Sequence, residues 1–236
     1  MRKGFTLAEM LIALGIIGVI AAITLPALFT NIKSTRYKTN FKKTVSTLSQ
    51  AASMSMQNYG VDYGIARYAC VCGTDKQCLQ LKPDKNPGFC AIFNATLKGI
   101  GTHGKIGNSR PRYNIKRSYT ITDNYGTDLS LILSDGTLVL YSVAMKTGSD
   151  ACTLTTGEKL TQNWIDSHPQ CKGLIDANGV GLPNQEVKCS DTETTTDVEH
   201  PCVVKKGSDM SDIYPIVFHD SVVEPASNAA MYVFKN

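Results

Sequence analysis

Eight cysteines are the residues whose type and number point most clearly to chemistry. All of them lie beyond residue 69, at Cys70, Cys72, Cys78, Cys90, Cys152, Cys171, Cys189 and Cys202. An even number of thiols confined to one part of a chain favours disulfides formed in an oxidising compartment. A metal cluster within residues 70–90 is the competing interpretation, but these spacings lack paired C-x-x-C knuckles. Neighbourhood in sequence predicts Cys152–Cys171 and Cys189–Cys202, with the first four cysteines pairing among themselves.

The sequence D-A-N-G at 176–179 is a second candidate site. It opens like a calcium loop, because Asp176 and Asn178 are alternate oxygen ligands and a glycine follows for the sharp turn. The acidic residue expected at the twelfth position is replaced by Val187. A plain turn of Asx and glycine explains the same residues, so both interpretations stand, with Asp209 and Asp212 as remote ligands in the calcium alternative. Calcium is the one candidate cofactor.

Motifs for catalysis and for nucleic-acid binding are incomplete. Residues 99–105 have the spacing of a phosphate-binding loop, but Ile106 stands where Ser or Thr must hold Mg²⁺. The four histidines lack the spacing of metal ligands, and no activated Ser or Cys signature is present. The basic run 110–117 could contact phosphates, but a solvated loop explains it better. We therefore predict no catalytic residue and no enzyme activity, and we do not expect nucleic acid as a partner.

Charge is distributed unevenly along the chain whose helices and strands must position these residues. The 236 residues carry a formal net charge of +4, with 42% hydrophobic and 19% charged residues. This balance excludes a highly charged disordered protein and a membrane protein with many spans. Residues 1–60 hold seven basic residues against the single acid Glu9, a net charge of +6, so the other 176 residues carry −2.

Residues 5–29 form one long apolar segment whose only charge is Glu9. As a helix it would measure about 35–40 Å, enough to cross a hydrocarbon core. A secretory signal peptide has a shorter apolar region of about 7–15 residues, and a carboxylate in a membrane segment is costly enough to indicate a function. If the chain is cut after Gly4, the new amino group of Phe5 lies four residues before Glu9. The two groups could then pair within one chain or between neighbouring subunits.

Residues 2–12, R-K-G-F-T-L-A-E-M-L-I, resemble the class III leader of type IV pilins and type II secretion pseudopilins. The likeness covers a short basic leader, Gly4 before the cut, Phe5 after it, and Glu9 as the fifth mature residue. It implies that a prepilin peptidase and N-methyltransferase cuts the bond between Gly4 and Phe5 and methylates Phe5. It also implies that Glu9 guides subunit assembly, and that the helix bends at Pro26.

The remaining pattern predicts a helix that continues to residue 60, followed by strands. Apolar residues with steps of three and four mark its buried face, at Tyr37, Phe41, Val45, Leu48 and Ala52. Beyond Gly60 a hairpin is predicted around Ser134, Asp135 and Gly136, with strands over 129–133 and 137–143. Further strands are predicted over 117–122, 213–218 and 230–234.

Together these patterns predict an α+β fold, pilin-like, in which a long N-terminal helix packs on an antiparallel β-sheet head with disulfides. The expected parts are a leader (1–4), a transmembrane and assembly helix (5–29), its amphipathic continuation (30–60) and a disulfide-rich globular head (61–236). The resemblance implies a structural subunit of a type IV pilus or type II secretion filament. The alternative is a minor pilin that acts as a membrane-anchored adhesin or DNA-binding module.

This assignment sets the expected partners and location. The partners are the processing enzyme, copies of the chain and other pilins in a filament, inner-membrane lipid before assembly, and the assembly machinery. The expected location is the bacterial inner membrane as a single-pass protein with its head exported, and then a periplasmic pseudopilus or an extracellular pilus.

Overall fold

The computed structural model describes residues 6–66, 83, 88–97, 104–106, 128–141, 152–154, 158–179, 181, 183–190, 202–204 and 211–236. Gly4, Phe5, three of the cysteines (Cys70, Cys72 and Cys78) and the strand predicted over 117–122 lie outside these residues, as do residues 99–103 and the basic run 110–117.

Helix α1 spans Leu7–Tyr59 and runs through Pro26 without interruption. It ends at Gly60, which adopts the left-handed conformation (φ +66°) and donates its backbone N–H to the carbonyl of Met56. The five residues of the predicted apolar face are all buried. The helix, its buried face and its stop at Gly60 are therefore confirmed.

The described strands form one antiparallel sheet in chain order. They are β1 (Gly104–Ile106), β2 (Asp128–Ile132), β3 (Leu138–Tyr141), β4 (Lys172–Asp176), β5 (Ile213–His219) and β6 (Val222–Pro225), and each pairs with the next. The predicted hairpin is confirmed as β2–β3, with Ile132 opposite Leu138. Helix α2 (Phe89–Thr96) precedes the sheet in the chain, and helix α3 (Gln162–Ser167) lies between β3 and β4. This arrangement confirms the α+β, pilin-like fold.

The second half of α1 packs against one face of this sheet. Phe41 stacks on Tyr214 of β5 with ring centroids 4.3 Å apart, and Tyr63 meets the edge of Phe218 at 5.0 Å. Gly173 on β4 makes room for this layer, because a Cβ at that position would lie 2.6 Å from the Phe218 ring. The core thus joins the helix, the segment just after it, and the centre of the sheet.

The strand predicted over 230–234 is wrong, because these residues belong to helix α4 (Asn228–Lys235). Ser227 caps this helix by accepting the backbone N–H of Ala230 at 3.2 Å. Ala229, Ala230 and Val233 are buried at helical spacing. A short apolar run is ambiguous in sequence, and here the cap and the contact with the core decide for a helix.

Both disulfides predicted in the second half of the chain are confirmed. Cys152 is bonded to Cys171 with Cα atoms 5.7 Å apart, and Cys189 to Cys202 with Cα atoms 5.4 Å apart. Cys90 is also disulfide-bonded. Among the cysteines that the structure describes, none is free.

Candidate functional site

The first turn of α1 is organised by Thr6 and Glu9. The backbone N–H and the hydroxyl of Thr6 both donate to Oε2 of Glu9, at 2.8 and 2.9 Å, and the backbone N–H of Glu9 donates to the Thr6 hydroxyl oxygen at 3.3 Å. This capping box satisfies backbone donors that a helix start otherwise leaves open. It also holds the Glu9 carboxylate at the very end of the helix, next to the position of the expected new N-terminus.

Thr6 is a residue that the sequence analysis missed. The pattern Thr-x-x-Glu before an apolar run is the signature of a capping box and could have identified it. Residues four apart share a helix face, and on that spacing alone Glu9 is expected to pair with the amino group of Phe5. Phe5 lies outside the described residues, so that pairing stays a prediction.

The first half of α1 presents an uncovered apolar surface. Large side chains such as Leu7, Ile12 and Ile23 are 80%, 64% and 72% exposed. In the described part of the chain this is the one helix long and apolar enough to cross a membrane, a test that an N-terminal signal sequence also passes. Exposed apolar surface of this extent marks a membrane or protein interaction site.

Gly15 and Gly18 lie on this uncovered segment. Apart from the flanking residues and the helix's own backbone, no described atom lies within 4 Å of a Cβ built at either position, so packing among the described residues does not require glycine there. Small residues at such positions allow the backbones of neighbouring helices to approach closely. The segment is therefore suited to contact with other helices as well as with lipid.

Basic residues mark the junction between the uncovered segment and the head. Lys33 and Arg36 are exposed, and Tyr37 is the first buried residue among the described side chains of the helix. Above them, the side-chain amide of Asn40 donates to the carbonyl of Ala177 at 3.0 Å, and Lys43 pairs with Asp135 at 3.0 Å. Burial alone would raise the pKa of Asp135, but the hydrogen bond and charge of Lys43 and the hydrogen bonds from Thr137 outweigh it and lower the pKa. The turns after β4 and between β2 and β3 are thereby fastened to the helix.

The D-A-N-G segment forms a hydrogen-bonded turn at this junction. The backbone N–H of Asn178 donates to Oδ1 of Asp176 at 3.2 Å, and the N–H of Gly179 donates to the Asp176 carbonyl at 3.3 Å. Gly179 is left-handed (φ +75°), and any side chain there would collide with the carbonyl of Gly136. The amide of Asn178 also donates to the Tyr37 hydroxyl at 3.3 Å, so the turn is tied to α1.

Asp212 is brought to this turn, as the calcium alternative supposed, but its carboxylate binds backbone donors. It accepts the N–H groups of Asn184 and Gln185 at 2.9 and 2.6 Å. Burial raises its pKa, and these hydrogen bonds together with one from Asn178 oppose that rise. The described residues contain no group of three or more His, Cys, Asp or Glu arranged to hold a metal ion. Calcium at Asp176 and Asn178 stays a prediction, whereas the hydrogen bonds of the plain turn are present.

His219 forms a second charged site, which the sequence did not indicate. Its Nδ1 lies 3.1 Å from Oδ2 of Asp220, and its Nε2 lies 3.2 Å from Oε2 of Glu224. Burial alone would lower the pKa of His219, but the hydrogen bonds and charges of the two carboxylates outweigh it and raise the pKa. The hydrogen bond from His219 in turn lowers the pKa of Glu224. Among the described residues, this group links strand β6 to the end of β5 and so holds the β5–β6 hairpin together.

Comparison with protein families identifies the N-terminus alone. The model of the prokaryotic N-terminal methylation motif matches residues 1–25. Neither the curated proteins nor the solved structures contain a match to the chain. The family match covers the expected leader and the uncovered start of α1.

Proposed function

We propose that this chain, whose first 25 residues carry the prepilin signature of type IV pilins and pseudopilins, is a structural subunit of a type IV pilus-like or type II secretion filament. One observation carries the proposal. The methylation motif covers the start of a helix whose first 30 residues have no buried side chain among those described, and this helix is attached to a folded head with disulfides. Such a segment needs a membrane or other copies of the same helix to cover it.

We propose that the subunit occupies two environments in succession, first the membrane and then the filament. The apolar half of α1 first spans the inner membrane with the head exported, and it then passes into the centre of a filament. Since the same surface is covered by lipid in one stage and by neighbouring helices in the other, no rearrangement of the head is required. The disulfides fit an exported head, because such bonds persist in oxidising compartments.

Glu9 is proposed as the residue that sets the register between subunits. After cleavage, the positive amino group of Phe5 would be the natural partner for the Glu9 carboxylate of a neighbour. The capping box would hold that carboxylate in one orientation before docking, because Thr6 donates two hydrogen bonds to it. Each buried charge needs the other, so the pair would favour one axial position.

Processing is tested by mass spectrometry of the mature N-terminus. In native membranes we expect a chain that begins at Phe5 and carries one methyl group on its amino nitrogen. A strain without prepilin peptidase is the control and should retain residues 1–4. An intact Met1 in the wild-type strain, or a new N-terminus near Ala22 as a signal peptidase would give, would contradict the proposal.

Stoichiometry separates the main proposal from the alternative of a minor adhesin or DNA-binding pilin. A principal subunit should be abundant in sheared filaments, whereas a subunit at the tip should be scarce. Quantitative mass spectrometry of the sheared fraction therefore decides between the two.

A further inference from the structure

A band of basic side chains surrounds α1 at the point where the helix leaves its apolar half. We call this band the basic collar, and it consists of Lys33, Arg36, Lys38, Lys42 and Lys43. The sequence contains no acidic residue between Glu9 and Asp62, so the helix itself offers these cations no partner. Two stripes result, since Lys33, Arg36 and Lys43 share one side of the helix by spacing and the other two share the opposite side.

The residues of the basic collar differ in whether an acidic residue of the head forms an ion pair with them. Lys43 forms its ion pair with Asp135 at 3.0 Å, and Asp135 is also fixed by the backbone of Thr137. Lys33 and Arg36 are exposed and make no ion pair with any residue that the structure describes. Within the described part of the chain, these two cations at the lower end of the collar therefore lack a carboxylate partner.

The height of these two residues matches the surface of a bilayer. Residues 7–32 form an apolar helical rod of about 39 Å, and a bilayer measures about 30 Å across its hydrocarbon core and 40–45 Å with its headgroups. Lys33 and Arg36 follow this rod at once and so fall within the headgroup layer. The first described hydrogen bond between helix and head, from the side-chain amide of Asn178 to the Tyr37 hydroxyl, lies about 6 Å above Lys33 along the helix axis. A layer of phosphates fits between the apolar rod and the head.

Membrane orientation does not account for the collar. Two basic residues precede the apolar segment and five follow it. An excess of Lys and Arg favours the cytoplasmic side, so the collar opposes the orientation that exports the head. Its charges therefore need another role on the exported side of the membrane.

We propose that Lys33 and Arg36 bind the phosphate groups of anionic phospholipids in the exported leaflet and hold the subunit at a fixed height before assembly. This inference rests on the proposed function, which supplies the insertion and the orientation of the helix. The guanidinium of Arg36 offers paired donors that match two phosphate oxygens, and Lys33 adds a compact positive charge beside it. Lys43 takes no part, because Asp135 already neutralises it.

The test compares lipid selectivity in bilayers. Full-length protein is reconstituted in phosphatidylcholine with a trace of spin-labelled phosphatidylglycerol or spin-labelled phosphatidylcholine, and the motionally restricted fraction of each label is measured. A basic residue at an anionic surface raises association by up to about fivefold at low salt. We expect wild type to prefer the anionic label severalfold, and the double variant Lys33→Gln/Arg36→Gln to lose this preference. The preference of wild type should also fall in high salt.

A matched control removes the same charge elsewhere. Lys159 and Lys188 are exposed residues of the head, and Lys159→Gln/Lys188→Gln should retain the wild-type preference. Equal selectivity in the collar variant and wild type would overturn the inference. If that variant keeps its lipid preference but yields fewer filaments, the collar binds a neighbouring subunit instead of lipid, which also overturns it. Absence of motionally restricted lipid of either kind would contradict insertion itself and therefore the proposed function.

Discussion

At the scale of single residues, His219 illustrates how the head holds the β5–β6 hairpin in place. The side chain is nearly buried and lies between Asp220 in the β5–β6 turn and Glu224 on β6. Trp164 and His168 of the α3 region and Lys172 of β4 lie on the same side of the sheet, where Lys172 is engaged by Asp166 at 3.0 Å. Lys172 is therefore already paired. When His219 is protonated, its imidazolium is the positive charge shared by the carboxylates of Asp220 and Glu224.

This site predicts a defined pH dependence of stability. Because the folded-state pKa of His219 is raised, its stabilising contribution is complete below the ordinary pKa of about 6.5 and disappears as the pH rises through the folded value. The lowered pKa of Glu224 adds a contribution that disappears as the pH falls below about 4.5. From pH 6 to pH 9, the free energy of unfolding should fall more in wild type than in His219→Gln, because only wild type loses the interactions of the protonated ring with the two carboxylates. Urea unfolding at the two pH values measures this difference.

His168 provides the control for that measurement. Its Nδ1 lies 2.8 Å from the carbonyl of Trp164 and its ring stacks on the indole, so it makes no described contact with a carboxylate. His168→Gln should therefore keep the wild-type pH dependence. A His219→Gln variant with the same pH dependence as wild type would show that the carboxylates do not stabilise the protonated ring.

At the scale of elements, the disulfide between Cys152 and Cys171 joins the start of β4 to a segment that the hairpin turn also contacts. The carbonyl of Cys152 accepts the backbone N–H of Asp220 at 2.8 Å, and Leu154 donates to the Asp220 side chain at 3.1 Å. Both cysteines are fully buried. The covalent bond and these hydrogen bonds therefore fix the same corner of the head.

Removing this bridge should weaken the head substantially. For Cys152→Ala/Cys171→Ala we expect the free energy of unfolding to fall by about 3 kcal/mol, as for a loop of this length. Urea unfolding without reductant measures the loss, and wild type in reductant is the comparison. Equal stability of the variant and the oxidised wild type would mean that the bridge does not constrain the unfolded chain.

The same scale shows which elements can be predicted from sequence. Helix α1 and the β2–β3 hairpin have local signals: an apolar face of regular period, a left-handed Gly60, and a turn through Gly136 (φ +85°). Helix α4 does not, because five apolar residues in a row fit a buried strand equally well. Its identity depends on the Ser227 cap and on contact with Phe41, whose ring meets Phe234 at 6.1 Å.

The candidate sites divide in the same way. Glu9 can be recognised in the sequence because it is the only charge in an apolar segment. The D-A-N-G turn can be recognised because its residues are consecutive. Asp212 was only a remote candidate, and the bonding of its carboxylate to the backbone of residues 184 and 185 depends on the folded sheet. The role of His219 could not be predicted from sequence, because its contact with Glu224 depends on how β5 and β6 pair. In the observed register Glu224 lies opposite Val217, two residues before His219 on the same strand.

At the scale of the whole molecule, the head and the apolar half of α1 should be separable. None of the described side chains in residues 7–36 is buried, and Tyr37 is the first that is. A chain that starts at Lys33 should therefore be soluble and retain the head's free energy of unfolding within about 0.5 kcal/mol, as for changes at a surface. Urea unfolding of this fragment beside the detergent-extracted full chain measures the difference. A loss of several kcal/mol would show that the apolar half also stabilises the head.

The claim that this chain assembles into a filament through the N-terminus of α1 is tested most directly at Glu9. The measurement is the yield of the protein in sheared filaments relative to its yield in membranes, for wild type, Glu9→Leu and Thr24→Leu. Thr24 is an exposed polar residue of the same segment that bonds only its own helix at Ile20, so Thr24→Leu raises the apolar character without removing the carboxylate. We expect Glu9→Leu to reach wild-type or higher levels in membranes and to be lost or strongly reduced in filaments, while Thr24→Leu assembles normally. Equal filament yields for Glu9→Leu and wild type at equal membrane levels would contradict the account.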